Sequence, residues 1–455
     1  MNLLQVMVAL APLLVGPLVP VDPHAPAVLI GVPGACALFW IVAHLRVTSL
    51  ARRLDRTGNT RLVARADRTL RVATWAAALV VGGSTLTLGY RESVRTIIGD
   101  LVLIDEAIAF SPYVLTLLAC FASGYAIERR LQDASVLRSL AGGDTLHEPL
   151  SRWGYVWDRF RHGTLLPILP VALMVGVSES LQRIDSLGAW VVALGSFSAI
   201  ALLFLLTPVL IRWVWHTVPL AEGQIHEMVQ RVSRAHGIRF SSVLVWITRG
   251  RAPNAAVVGA VYPMRTLLLS DALLERLPAD EVEAVVAHEV AHARRAHMPW
   301  MIALVASFAI AGEFVLARVD SFDATDFALV SLGTLLAAVL ALGYVSRRFE
   351  RQADAFAVQH LSGRASRRGG PRGVTITPEV AGTMARALRR VAHAGGLDPR
   401  KFTFRHGSIA GRIGAIHELE GLDSERLPID RTVWRIKLFV AAALLCAIAF
   451  ASAQP

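Results

Sequence analysis

The feature that most constrains this chain is a series of apolar runs, each close to the length of a membrane span. A helix that crosses a bilayer needs about 20 mostly apolar residues, because every backbone group must be satisfied within the segment. Of the 455 residues 54% are hydrophobic and only 18% are charged, whereas a soluble domain has about a quarter charged residues. The sequence therefore predicts a mainly α, polytopic membrane protein with about nine transmembrane helices. These cover residues 3–21, 27–45, 72–90, 104–127, 164–180, 189–214, 299–317, 327–345 and 436–452.

The distribution of arginine predicts how these spans are oriented. The net charge is +11, and arginines are concentrated in the loops 46–71 and 128–163, while the alternate connections hold few of them. Cytoplasmic loops accumulate Arg and Lys, so the polar segments 215–298 and 346–435 are expected to face the cytoplasm. No nucleic-acid motif is present. The predicted partner is the lipid bilayer, and the Ala-rich, Arg-over-Lys composition indicates a bacterial inner membrane.

The same map divides the chain into five segments. They are an N-terminal membrane domain of about six spans at 1–214, a first catalytic segment at 215–298, two transmembrane helices at 299–345, a second catalytic segment at 346–435 and a C-terminal span at 436–455. Short β-rich runs at 243–246, 255–261 and 266–269 predict a small sheet in the first catalytic segment.

The first motif with chemical content lies in the segment 280–297, DEVEAVVAHEVAHARRAH. At about 100° per residue, His288 and His292 lie one turn apart on the same helix face, with Glu289 beside them. Two neutral imidazoles in this arrangement can hold one Zn²⁺ ion while the carboxylate acts on a water molecule. The pattern predicts one zinc per chain and a metalloprotease in which Glu289 is the general base. The alternative is a structural helix with two ordinary histidines.

A catalytic zinc site needs a third protein ligand. His297 lies nine residues after His288, about 180° round a continuous helix, and is expected to point away from the metal. The segment 346–357, SRRFERQADAFA, offers Glu350 as the third ligand, and Asp354, one turn later, could accept a hydrogen bond from a ligating imidazole. By itself this second pattern also fits a solvated basic helix.

In combination these motifs resemble the integral-membrane gluzincins that include the HtpX-type heat-shock proteases and the CAAX prenyl endopeptidases, over residues 215–420. The sequence ADEVEAVVAHEVAH is similar to the active helix of that family. A second segment matches its SRxxExxAD helix through Ser346, Arg347, Glu350, Ala353 and Asp354. A third, RHGSIAGRI at 405–413, resembles its THPxxxxRI segment, with Gly407 in place of the usual Pro and Arg405 in place of the usual Thr.

The resemblance implies a small α+β, zincin-like catalytic domain and assigns further roles. His406 would stabilise the oxyanion of the tetrahedral intermediate, and Arg412 would be structural or close to the site. A substrate-binding edge strand would comprise Asn254, Ala255, Ala256 and Val257. The implied function is a zinc endopeptidase that cleaves membrane or membrane-proximal proteins at a cytoplasm-facing site, in protein quality control.

Three other functions stay open. The chain could be a sensor or signalling metalloprotease, although no sizeable external domain is visible. It could process prenylated CAAX proteins, although its composition is bacterial. It could also be a scaffold or transporter with a vestigial site, although the three ligands and the base are all present.

Overall fold

The structure, a computed structural model, describes residues 26–142, 146–184, 209–212, 214–259, 261–317, 324–363, 374–425 and 427–452, with isolated positions in 5–12 and 195–202. The chain forms two compact units. The N-terminal unit comprises Met1–Phe204 and Trp213–Trp215, and the C-terminal unit comprises Leu205–Arg212 and His216–Pro455. Every predicted metal ligand belongs to the C-terminal unit.

Where it is described, the N-terminal unit is helical. Its helices are α1 (Pro26–Thr57), α2 (Arg61–Leu88), α3 (Tyr90–Ile98), α4 (Ile104–Gly142), α5 (Arg152–Phe160) and α6 (Leu166–Gln182), with a π-helical turn at Arg161–Leu165. Small side chains let the helices approach closely: Ala77 and Ala78 of α2 are fully buried in a cluster with Cys36 of α1 and Tyr113 of α4.

Within the described residues, four helices are long and apolar enough to cross a membrane. They are Ala27–Thr57, Arg61–Leu88, Ile104–Leu137 and Leu332–Leu361, and a shorter apolar helix covers His297–Gly312. The predicted spans 3–21 and 189–214 lie largely outside the described residues. The mainly helical class with a small sheet is confirmed, while the number of nine spans stays a prediction.

The C-terminal unit contains a four-stranded sheet in the order β1-β2-β4-β3. Its strands are β1 (Thr217–Pro219), β2 (Ser242–Trp246), β3 (Ala255–Val258) and β4 (Thr266–Ser270). The central pair β2 and β4 is parallel, and the outer strands pair antiparallel to it. The strand predicted to reach residue 261 ends earlier, because Gly259 has a φ of +88° and leaves the extended conformation.

Helices complete the C-terminal unit. They are α7 (Gln224–Ala235), α8 (Asp271–Arg276), α9 (Ala279–Arg294), α10 (His297–Ala317), α11 (Ala324–Leu361), α12 (Pro378–Ala394), α13 (Ile409–His417) and α14 (Pro428–Ser452). All five residues of β4 are buried. Leu267 and Leu269 share one core with Val286 and Val290 of α9 and Met384 of α12. This core holds α9 against the sheet.

Helix α11 runs for 38 residues without a break. The predicted boundary between a membrane span and the second catalytic segment, at residues 345 and 346, falls in the middle of it. The apolar part and the part that carries Glu350 are therefore one rigid rod, which also packs against α9 through the buried Ala353, Ala357 and Val358. The rod fixes the distance between the two predicted halves of the metal site.

A chain of polar contacts ties the end of α11 to α7 and α9. His236 Nε2 lies 3.0 Å from His360 Nδ1, and His360 Nε2 lies 3.1 Å from Glu283 Oε1. The ring of His236 packs on Phe356 with the ring centroids 4.6 Å apart. Burial, with help from His360 and Arg294, lowers the pKa of His236 from 6.5 to about 4.

We expect the melting temperature of the chain in detergent to fall between pH 7.5 and pH 5, and His236→Phe to reduce that fall. As the pH falls, His236 is protonated near pH 6.5 in the unfolded chain but only near pH 4 in the folded chain. Its contribution to the free energy of unfolding is therefore complete above pH 6.5 and is lost as the pH falls toward 4. The loss amounts to about 2 kcal/mol by pH 5. Phenylalanine keeps the packing on Phe356 without a proton site. An identical pH dependence of both melting temperatures would refute this expectation.

Candidate metal centre

Helix α9 presents two histidines to one point. His288 and His292 are separated by one turn, and their Nε2 atoms lie 3.2 Å apart. The helix is firmly placed: Glu281 in its first turn is buried and accepts a hydrogen bond of 3.0 Å from Arg390 of α12. Burial lowers the pKa of His292 to about 4, so its ring is neutral at physiological pH, the form that binds a metal.

The third predicted ligand reaches the same point from α11. Glu350 Oε2 lies 3.7 Å from His288 Nε2, and Glu350 Oε1 lies 3.7 Å from His292 Nε2. Zinc bonds of about 2.0–2.1 Å at tetrahedral angles place neighbouring ligand atoms about 3.3 Å apart. The three residues therefore fit a zinc ion. Among the described residues they are the one group of His, Cys, Asp or Glu side chains close enough to hold a metal.

Asp354 contacts the first histidine. Its Oδ1 lies 2.9 Å from His288 Nδ1, so the carboxylate favours the tautomer with hydrogen on Nδ1 and a free lone pair on Nε2. Burial of His288 opposes protonation, but the contact with Asp354 outweighs it and raises the pKa of His288. The helix periodicity predicts such a contact, and the orienting role of Asp354 stays a prediction.

Arg412 joins both carboxylates of α11. Its Nε and Nη2 donate to Asp354 at 2.8 and 2.6 Å, and its Nη1 lies 3.1 Å from Glu350 Oε2. Arg412 is held in place by α13, whose first turn is capped by Ser408. A single guanidinium thus compensates two buried negative charges, which would otherwise carry a large desolvation cost.

The segment 405–413 differs locally from the pattern that it resembles. Gly407 has a φ of +73°, and its backbone exchanges hydrogen bonds of 2.9 and 3.0 Å with Thr403. Proline could adopt neither this φ nor donate that hydrogen bond. The turn places His406 Nδ1 3.0 Å from Glu350 Oε1, with the His406 side chain 52% exposed. His406 therefore lies at the rim of the centre.

The predicted base faces the predicted edge strand. Glu289 Oε2 accepts a hydrogen bond of 3.0 Å from the backbone N–H of Val257 in β3. Burial raises the pKa of Glu289 above its ordinary value, against the opposing effect of His288. A carboxyl group with a raised pKa both takes and returns a proton more readily near neutral pH.

A cavity of about 370 Å³ connects these features. One wall is the strand residues Asn254 to Val257, and the floor holds the three ligands and Glu289. The remaining walls are mostly apolar, and they include Leu273, Val285, Met384, Leu388 and Val391. Such a cleft can take an extended chain with an apolar side chain next to the metal position.

His297 lies beside His292, on the side of that ring opposite its Nε2. The Nδ1 atoms of the two histidines are 2.9 Å apart, and His297 is not among the three grouped ligands. What is wrong is the continuous helix on which its expected direction was based, because α9 ends at Arg294 and Ala296 has a φ of +53°. That left-handed residue turns the chain, and His297 begins α10.

Comparisons relate this chain to known metalloproteases. The sequence pattern of peptidase family M48 matches residues 219–419. A protease HtpX homolog of Aeropyrum pernix is 27% identical over 263 residues, which cover 55% of this chain and 78% of the relative. A CAAX prenyl protease 1 homolog of Arabidopsis thaliana is 27% identical over 231 residues, covering 46% of this chain and 53% of the relative. The crystal structure of S. mikatae Ste24p matches 87% of this chain and all of that one, with 16% identity and a TM-score of 0.41.

Proposed function

Because residues 219–419 form a peptidase domain of family M48 and the chain is a metalloprotease, we propose that it is a zinc-dependent endopeptidase of the membrane. Its substrates would be membrane or membrane-proximal proteins, cleaved on the cytoplasmic side as part of protein quality control. The resemblance to HtpX-type proteases and CAAX prenyl endopeptidases is confirmed. The vestigial scaffold or transporter is thereby set aside.

The observation that carries the proposal is the convergence of His288, His292 and Glu350, with Glu289 beside them. A zinc ion held by these three side chains would supply a Lewis acid that polarises the scissile carbonyl and makes water more acidic. Glu289 would take a proton from the attacking water and then return it to the departing amine nitrogen. Its raised pKa suits both steps.

His406 would act on the oxygen of the scissile carbonyl. One ring nitrogen contacts Glu350, so the other is available at the rim of the cleft. An imidazolium in this place would donate one N–H to Glu350 and the second to the oxyanion that develops during attack. Arg412, buried against Glu350 and Asp354, would hold both carboxylates in place rather than contact the substrate.

The edge strand β3 would bind the substrate backbone. Asn254 accepts a hydrogen bond from Ser270 N–H on the β4 side, while Val257 N–H points to Glu289. The backbone N–H and C=O groups of the odd-numbered residues in this strand therefore point to the cleft. An extended peptide can pair with them there as a further strand. Ala255 would offer its N–H and C=O to the substrate.

We expect Ala255→Pro to lower kcat/KM for a peptide substrate about 3- to 10-fold, mainly through KM, because one backbone hydrogen bond is lost. Proline is tolerated on an edge strand when the missing N–H faced outward. Ala255→Ser, which keeps the N–H, is the matched control and should stay near wild type. Zinc content measured on both variants should be unchanged. Equal activities of the two variants would argue against pairing at this strand.

The membrane location is supported by the four long apolar helices among the described residues, and the cytoplasmic orientation by the arginine-rich loops 46–71 and 128–163. Expressed in bacteria, the chain should resist extraction by alkaline carbonate. Trypsin should cleave the C-terminal unit in inverted membrane vesicles and leave it intact in right-side-out vesicles. Cleavage only in right-side-out vesicles would reverse the orientation.

Metal removal tests the proposal as a whole. Purified protein in detergent should contain about one zinc per chain, since one three-ligand group is found among the residues that the structure describes. Dialysis against a strong chelator should abolish cleavage of an unfolded protein substrate, and one equivalent of zinc should restore it. Zinc-free protein with full activity would contradict the proposal.

A farnesylated CAAX peptide, assayed beside an unfolded membrane protein, separates prenyl-protein processing from quality control.

A further inference from the structure

His297 occupies a fixed and buried position behind the second histidine ligand. It is 3% exposed, and its ring stacks on Phe349 at 4.2 Å with an angle of 7° between the planes. Its Nδ1 lies 2.9 Å from His292 Nδ1, and its Nε2 lies 2.9 Å from Gln352 Oε1. Each ring nitrogen thus has one defined partner.

The donor and acceptor in each of these hydrogen bonds can be deduced from Asp430, at the end of the series. Asp430 accepts a hydrogen bond of 2.6 Å from Gln352 Nε2, and a carboxylate beside Arg295 has no hydrogen to give. The amide oxygen of Gln352 must then face His297 and accept from Nε2–H. His297 Nδ1 is left with a lone pair, so His292 has to donate from its own Nδ1–H.

We propose that His297 is a positioning residue, which holds His292 in the tautomer whose Nε2 lone pair faces the metal position. Gln352 and Asp430 orient His297 for this task. The inference rests on the proposed zinc site, and it concerns how His292 is made ready to bind.

The two ligand histidines are then oriented by different means. The carboxylate of Asp354 orients His288 directly. His292 is oriented by the neutral ring of His297, which is held in turn by Gln352 and Asp430. These hydrogen bonds also connect helices, since His297 begins α10, Gln352 belongs to α11 and Asp430 lies in α14. The metal position is thereby linked to the packing of four helices.

Two substitutions separate hydrogen bonding from packing. In His297→Asn the Oδ1 atom occupies the place of Nδ1 along the side chain and can accept from His292. In His297→Phe the ring and its stacking on Phe349 are kept, but the acceptor is lost. Zinc affinity is measured by chelator competition on the full-length chain in detergent, and the ligand field by the absorption spectrum of the cobalt-substituted protein. Melting of the metal-free protein controls for folding.

We expect His297→Phe to weaken zinc binding about 10- to 100-fold, as is usual when the partner of a ligating histidine is removed, and to alter the cobalt spectrum. His297→Asn should stay within about threefold of wild type, which is below that range. Wild-type affinity in His297→Phe, or an equal loss in both variants, would overturn the proposal. If His297→Phe does not fold, Gln352→Leu decides, and there an unchanged affinity overturns it. A wild-type chain that binds no zinc would instead refute the proposed function.

Discussion

Glu289→Gln should lower kcat/KM about 10³-fold while the protein keeps its zinc, because general acid–base catalysis by one side chain contributes about 10²–10⁴-fold. The amide oxygen of the new side chain can still accept the hydrogen bond from Val257 N–H, so the strand and the helix stay together. What is lost is the group that takes and returns a proton. The measurement is steady-state cleavage of a fluorogenic peptide, with zinc determined on the same preparation.

The control for this change is Glu379→Gln, which removes an exposed carboxylate in the first turn of α12 and should leave both activity and zinc unaltered. A Glu289→Gln enzyme with more than about a tenth of wild-type kcat/KM would remove Glu289 from the role of base, since that loss is below the usual range. Loss of zinc together with activity would mean instead that the substitution disturbs the centre.

Local periodicity was sufficient to predict the part of the site that lies on one helix. His288, Glu289 and His292 are fixed relative to each other by the geometry of a single turn, and Glu350 and Asp354 by another turn. The pairing of the two helices is a long-range property. It depends on the packing of α9 on α11, which sequence periodicity does not encode, and it was expected mainly because the motifs resemble those of a family.

The parts that were missed depend on backbone conformations without a local signal. Ala296 adopts a left-handed φ that alanine rarely takes. The sequence ARRAH therefore does not predict that the helix ends here and that His297 contacts His292. The buried contacts of Gln352 with His297 and Asp430 could not be predicted either, because a glutamine in a basic helix usually faces solvent. Gly407 did carry a signal, as the replacement of a proline, and the structure shows the turn that it permits.

Glu350→Gln should weaken zinc binding about 100-fold or more. Four ligands in structural zinc sites supply about 10–16 kcal/mol, hence about 3 kcal/mol for each one, which corresponds to about a 100-fold change. An amide oxygen is a far weaker ligand than a carboxylate. The fold should survive, because Arg412 keeps both of its hydrogen bonds to Asp354 and is not left as an uncompensated buried charge.

Zinc binding in Glu350→Gln could also be weakened by a general disturbance of the centre, and two further variants test this explanation. Glu418→Gln at the end of α13 removes an exposed carboxylate and should bind zinc as the wild type does. Asp354→Asn, which removes the negative charge beside His288 and Arg412 but leaves all three ligands in place, should weaken zinc binding about 10- to 100-fold. If Glu350 is a ligand, its loss must be at least as large as that of Asp354. Zinc bound at wild-type affinity in Glu350→Gln would exclude it from the ligand set, and the long helix α11 would then position only the second layer.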